Sequence, residues 1–185
     1  MRKLKNKAIF LDRDGIINKI VKDNGVIRSP RSLKEFNINF HIKKYLNFFK
    51  KNSFLNIIIT NQPEYKRGFL KKKVILKFHK KIKEKLPVDK IYVCYDLNND
   101  SFFRKPNPGM LIKASKDLNI DFKKSYFIGD RYKDIYAGNR IKCKTIFIDF
   151  NYNEKKPKRF FYCSKSLIGG LNKIKKEIIN TSFKV

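Results

Sequence analysis

Short apolar runs alternate with amphipathic stretches along this chain. Ala8-Ile9-Phe10-Leu11 is too short for a helix and reads as a buried strand. Phe54 to Ile59, Ile91 to Cys94, Ser125 to Ile128 and Thr145 to Ile148 read the same way. Between them, Phe40 to Lys51 places Ile42, Leu46 and Phe49 at helical spacing among lysines. Lys71 to Leu86 carries Val74, Ile75, Phe78 and Ile82 on one helical face and is closed by Pro87. Met110 to Leu118, with Pro108 near its first turn, Lys133 to Asn139, and Ser166 to Ile179 complete the predicted helices. Ile16 to Pro30 alternates apolar and basic residues around the turn signal Asp23-Asn24-Gly25, which fits a small hairpin or flap. Strands alternating with helices predict an α/β fold, a mainly parallel sheet covered on both faces.

Length and composition narrow this picture. A chain of 185 residues is expected to form one domain over its full length, 1–185, with a true core. The hydrophobic share of 42%, with 17 Phe, excludes a disordered chain. A formal charge of +29 admits two readings, a nucleic-acid surface or a lysine bias that fills solvated faces. Under either, the field draws anionic substrates such as phosphorylated metabolites. Cys94, Cys143 and Cys163 make no spaced framework, as expected of reduced thiols in a cytoplasmic protein. No run approaches a membrane span, and the basic start has no signal-peptide core, so a soluble protein is expected.

The polar residues that end the strands carry the chemistry. Asp12 and Asp14 follow the first strand, and Asp at i and i+2 can face one side of an extended backbone. Two carboxylates that close call for a cation or a retained proton. Taken alone, Asp14-Gly15 also fits an ordinary turn. Thr60, Asn61 and Gln62 follow the second strand, Arg104 and Lys105 the loop after the third, and Gly129 and Asp130 the fourth. In a parallel sheet these positions converge on one edge, where open α/β sheets bind ligands.

Asp12-Arg13-Asp14-Gly15, Thr60-Asn61-Gln62, Lys105-Pro106 and Gly129-Asp130 with Asp134 resemble, in order and spacing, the motifs of the haloacid dehalogenase-like phosphatases. The resemblance implies a Rossmann-like three-layer sandwich with strand order 5-4-1-2-3 and a magnesium-dependent phosphomonoesterase. Asp12 is then the nucleophile that forms an aspartyl-phosphate. Asp14 is the general acid-base, which asks for a raised pKa. Mg2+ is held by Asp12, the carbonyl of Asp14, and Asp130. Thr60 and the amides after it hold the phosphate, and Lys105 faces its developing charge. Asp134 orients the metal or Lys105, or serves as a helix-terminus carboxylate.

With Arg67-Gly68, Arg104 before Lys105, Pro108-Gly109-Met110 and Arg131 after Asp130, the chain resembles one branch of that family. It contains heptose-bisphosphate and histidinol-phosphate phosphatases and lacks a large cap domain. Thr60, Asn61, Gln62, Arg67, Arg104 and Arg131 become candidate substrate contacts, with Arg131 also readable as a surface cation. The implied substrate is a small phosphorylated metabolite, a sugar phosphate, with histidinol phosphate or nucleic-acid 3′-phosphate ends as alternatives; a monomer is expected. One departure stands out. The branch carries a zinc loop before Lys105, whereas here Cys94-Tyr95-Asp96 and Ser101-Phe102-Phe103 occupy it. One thiol and one carboxylate do not make a four-ligand site, so no structural zinc is expected and Phe102 and Phe103 are expected to pack the loop.

Overall fold

The structure is a computed structural model that describes residues 4–23 and 25–182. Strand β1 (Lys7–Leu11) lies at the centre of a parallel sheet. On one side it pairs with β4 (Phe54–Asn61), which pairs with β5 (Lys90–Cys94). On the other it pairs with β6 (Tyr126–Gly129), followed by β7 (Lys144–Ile148) and β8 (Tyr162–Ser164). The predicted strand order holds, and β8 extends the sheet at one edge. β8 is not among the expected strands, although the short apolar run Phe160-Phe161-Tyr162-Cys163 contains its first two residues.

Side chains of β1 alternate between faces, as the two-residue strand period requires. Ile9 and Leu11 enter a core with Leu46 and Phe49 of α1 (Lys43–Lys51), Ile75 and Phe78 of α2 (Lys72–Lys85), and Leu171 and Ile174 of α5 (Leu167–Ser182). Ala8 and Phe10 enter the opposite core with Met110 and Ala114 of α3 (Gly109–Leu118) and Ala137 of α4 (Tyr132–Arg140). That arrangement gives three layers. Burial on both faces is why the strands read as continuous apolar runs rather than alternating ones.

The expected flap is a hairpin of β2 (Val21–Asp23) and β3 (Val26–Arg28). Asn24, in its predicted turn, lies outside the described residues. Arg28 grips the Glu35 carboxylate with both terminal nitrogens, at 2.9 and 3.0 Å, and anchors the hairpin over the sheet's carboxyl edge. Among the described residues no helix is long and apolar enough to cross a membrane.

Candidate active site

The carboxyl edge of the sheet gathers the predicted residues. Asp12, Asp14, Thr60, Lys105 and Asp134 line one cleft of about 370 Å³, and Val26, Ile27 and Arg28 of the hairpin line it as well. Asn61, Arg67, Arg104 and Arg131 line it too. Asp130 is buried next to Asp12, and one carboxylate oxygen each from Asp12, Asp130 and Asp134 lie within 4.8 Å of one another. A larger cavity of about 550 Å³ borders the site at Gly15 and Ile20 and holds none of these carboxylates.

Lys105 is the hinge of the charge arrangement. Its ammonium donates to Asp12 Oδ1 at 2.6 Å and the Ile59 carbonyl at 2.8 Å, and pairs with Asp134 Oδ1 at 2.6 Å. That uses all three of its donors. Asp134 does two jobs: its other oxygen accepts the Arg131 amide at 3.1 Å, closing the first turn of α4. Asp134 is thus both an ion-pair partner of Lys105 and a carboxylate at a helix terminus.

Asp14 sits in a different setting. The fully buried Arg13 guanidinium pairs with it at 2.9 Å. Asn18, Gln62 and Ser29 each donate to its carboxylate, at 2.9, 2.9 and 2.8 Å. Arg13 also donates to Gln62 Oε1 at 2.7 Å and approaches His79 Nε2 at 3.5 Å. Its guanidinium lies over the rings of Phe36 and Phe78. Gln62 is thus behind the cleft wall and supports Asp14, and its backbone N–H is spent on the Cys94 carbonyl at 2.7 Å. Asn61 reaches the cleft but turns its side chain to the backbone of Lys105.

The two aspartates of the first motif are pushed apart electrostatically. Burial, with Asp134 nearby, raises Asp12 to about 7 against the pull of Lys105. Burial also pushes Asp14 up, but Arg13 and the three hydrogen bonds outweigh it, so its net shift is downward. The raised pKa expected for Asp14 is therefore corrected: the buried Arg13 guanidinium beside it favours the ionised carboxylate. Burial, then Asp12 and Asp134, raise Asp130 far above the usual carboxylate range.

Asp130 is the most informative of these groups. Both carboxylate oxygens are buried without a hydrogen-bond partner, and the Tyr152 hydroxyl stands near them outside ordinary hydrogen-bond geometry. A buried orphan carboxylate is costly unless a cation or proton answers it. With Asp12 adjacent, an all-oxygen donor set fits a hard divalent cation such as Mg2+. Gly15 makes room for this. Its φ of +97° is a left-handed conformation, and a Cβ there would lie 2.1 Å from Asp130 Oδ2.

The loop before Lys105 is organised by Asp96. Its carboxylate accepts from Lys66 and Ser101, both at 2.6 Å, while Cys94 Sγ lies 3.9 Å away. Arg104 donates to the Asp96 carbonyl at 2.8 Å and to Asn99 at 3.2 Å. Phe102 and Phe103 pack edge to face with each other but stay 53% and 42% exposed, so polar contacts rather than these rings hold the loop. That corrects the expectation of aromatic packing.

Sequence reasoning missed Arg13 and His79 as parts of the site. His79 was legible: with Ile75, Phe78 and Ile82 it shares the buried face of α2. Arg13 had no such signal, since a cation between two aspartates on an exposed turn would read identically.

The HAD-hydrolase-like family model matches residues 102–159. The D-glycero-alpha-D-manno-heptose-1,7-bisphosphate 7-phosphatase of Campylobacter jejuni is 34% identical over 181 residues, 95% of this chain and 100% of that protein. The D-glycero-beta-D-manno-heptose-1,7-bisphosphate 7-phosphatase of Helicobacter pylori strain 26695 is 30% identical, covering 85% of this chain and 92% of that protein. The crystal structure of D,D-heptose 1,7-bisphosphate phosphatase from B. bronchiseptica, complexed with magnesium and phosphate, superposes with a TM-score of 0.75 at 19% identity. That alignment covers 92% of this chain and 99% of the other.

Proposed function

Because this chain belongs to the haloacid dehalogenase-like phosphatases, within the heptose-1,7-bisphosphate 7-phosphatase family, we propose that it removes the 7-phosphate from D-glycero-D-manno-heptose 1,7-bisphosphate. The chain is a phosphoric monoester hydrolase; its substrate and the roles of its residues are the proposed part. The observation that supports the reading most is the convergence of Asp12, Asp14 and Lys105 in one cleft whose rim carries Arg67, Arg104 and Arg131. A reaction centre for one phosphate is thus bordered by donors for a second anion.

Asp12 attacks phosphorus, and the ester oxygen leaves with the electron pair of its bond to phosphorus. The aspartyl-phosphate so formed is hydrolysed by water in a second step. Lys105 holds the Asp12 carboxylate in place with its 2.6 Å hydrogen bond and balances the charge of the pair. Asp14, ionised in its Arg13 cradle, is set to take a proton from the hydrolytic water. The acid half of its work follows from substrate entry, since a phosphoryl dianion beside Asp14 raises its pKa. Asp12, Asp130 and the carbonyl of Asp14 would hold Mg2+, which when bound neutralises carboxylate and phosphoryl charge. Thr60 and Asn61 bound the phosphate pocket, and Arg104 and Arg131 contact the remote part of the substrate.

The test is a steady-state panel with magnesium: both anomers of the heptose 1,7-bisphosphate, histidinol phosphate, and a 3′-phosphorylated oligonucleotide. Preferential turnover of a heptose bisphosphate is expected. Equal, feeble rates on all of them would overturn the substrate assignment.

A further inference from the structure

Arg131 borders more than one cavity. It lines the catalytic cleft, and together with Lys133 it also lines a neighbouring cavity of about 280 Å³ completed by Tyr132, Glu154 and Lys155. That second space is large enough for a phosphate group and carries an unbalanced charge. Among the described residues, Lys133 and Lys155 have no carboxylate within 4.0 Å. The Lys155 ammonium rests instead over the rings of Tyr132 and Tyr136, at 5.4 and 5.9 Å. Within this cavity the three cations meet one carboxylate, Glu154, which is ion-paired to the Arg131 guanidinium; Asp130 and Asp134 act on Arg131 and Lys133 from the catalytic side.

Glu154 is well placed to be exchanged. It is part of the loop between β7 and β8, and its side chain is 38% exposed. Arg131, by contrast, is fixed: the Tyr152 ring lies 5.3 Å from its guanidinium, and its backbone begins α4. An incoming anion can take over the guanidinium from Glu154 without moving it.

We propose that Glu154 is an internal competitor for an anion subsite made by Arg131, Lys133 and Lys155, displaced by the phosphate remote from the reacting one. The proposal rests on the bisphosphate reading above. Its consequence is selectivity. A substrate with one phosphate leaves the Arg131–Glu154 pair intact and gains nothing from the subsite. A second group with a single charge, such as a carboxylate, only replaces one carboxylate by another. A phosphate dianion brings twice the charge and a third acceptor oxygen, so it wins the exchange and also engages the lysines. Glu154 thereby acts as the repulsive element that specificity requires beside the attractive one.

The measurement is the ratio of kcat/KM for the heptose 1,7-bisphosphate to that for the heptose 7-phosphate, in the wild type, Glu154→Gln and Lys133→Met. Glu154→Gln should raise the ratio roughly fivefold, the ceiling for one partly exposed ion pair, through a lower KM for the bisphosphate. Lys133→Met should lower it. A ratio that is unmoved or lowered in Glu154→Gln overturns the competitor role, because a carboxylate that only steadied Arg131 would act in that direction. A ratio unmoved in Lys133→Met overturns the position of the subsite. A wild type without preference for the bisphosphate defeats the substrate assignment instead, and the shift in Glu154→Gln then still decides the competitor role.

Discussion

Asn61 and Lys105 exchange two hydrogen bonds across the site. The Asn61 amide nitrogen donates to the Lys105 carbonyl at 3.0 Å, and the Lys105 backbone amide donates to Asn61 Oδ1 at 3.1 Å. The end of β4 is thereby latched to the loop that carries the Lys105 ammonium. Asn61→Ala removes both bonds and leaves two partly buried backbone groups unpaired, a cost of about 1–3 kcal/mol. Displacement of the lysine from Asp12 is expected to lower kcat by roughly 100-fold, the scale set by small misplacements in active sites. Kinetics and thermal unfolding of the same variant check this, and a stable protein with wild-type kcat would remove Asn61 as the latch.

The orphaned Asp130 carboxylate predicts a large metal effect on stability. Magnesium at about 100 times its dissociation constant should stabilise the fold by about 2.7 kcal/mol, visible as a rise in Tm. Asp130→Asn should abolish that rise while raising the Tm of the metal-free protein, because it removes one of three crowded carboxylates. An unchanged magnesium response in Asp130→Asn would exclude it as a ligand.

Gly15 is the steric counterpart of that site. In Gly15→Ala the new methyl meets Asp130 Oδ2, and the positive φ adds about 1–2 kcal/mol of backbone strain. The variant should lose both stability and the magnesium response. Retention of the full thermal shift would show that the Gly15–Asp130 approach is not needed for the ion.

Asp12→Asn separates chemistry from folding. Loss of the nucleophile should abolish turnover, while loss of a buried carboxylate raised to about 7 should leave the metal-free fold at least as stable as the wild type. Mass spectrometry after rapid quench should find a phosphorylated wild type and an unmodified variant. Measurable turnover in Asp12→Asn would assign the attack elsewhere.

What could be read from the residues alone, and what could not, follows from how each is held. The central strands were legible because burial on both faces makes them continuous apolar runs, as in Ile57-Ile58-Ile59. Asp12, Lys105 and Asp130 were legible because a parallel sheet must bring its carboxyl ends together. The protonation of Asp14 was not, since Arg13 decides it and nothing in the chain order says that this guanidinium turns inward. Glu154 was equally silent: it is distant in sequence from Arg131, and their pairing depends on where the loop after β7 returns. Gln62 was assigned to the cleft from its motif, but the direction of a single side chain at a strand end is set by its partners Arg13 and Thr60.

His79 supplies a pH prediction whose sign can be worked out. Burial, then the neighbouring Arg13 guanidinium, lowers its pKa to about 4, with Lys83 acting in the same direction and Asp14 against it. The folded protein keeps the imidazole neutral where the unfolded chain, with a value near 6.5, protonates it. Between those values the unfolded state binds more protons, so stability rises with pH. The stabilisation is fully present above about pH 6.5 and is lost as pH falls through about 4, on the order of a few kcal/mol in total. His79→Gln keeps an acceptor beside Arg13 but cannot titrate. Denaturant unfolding of both proteins should therefore show the wild type losing stability relative to the variant between pH 7 and pH 4. Parallel pH profiles would mean that His79 takes up its proton equally in the folded and unfolded states, and burial beside Arg13 would then not hold the imidazole neutral.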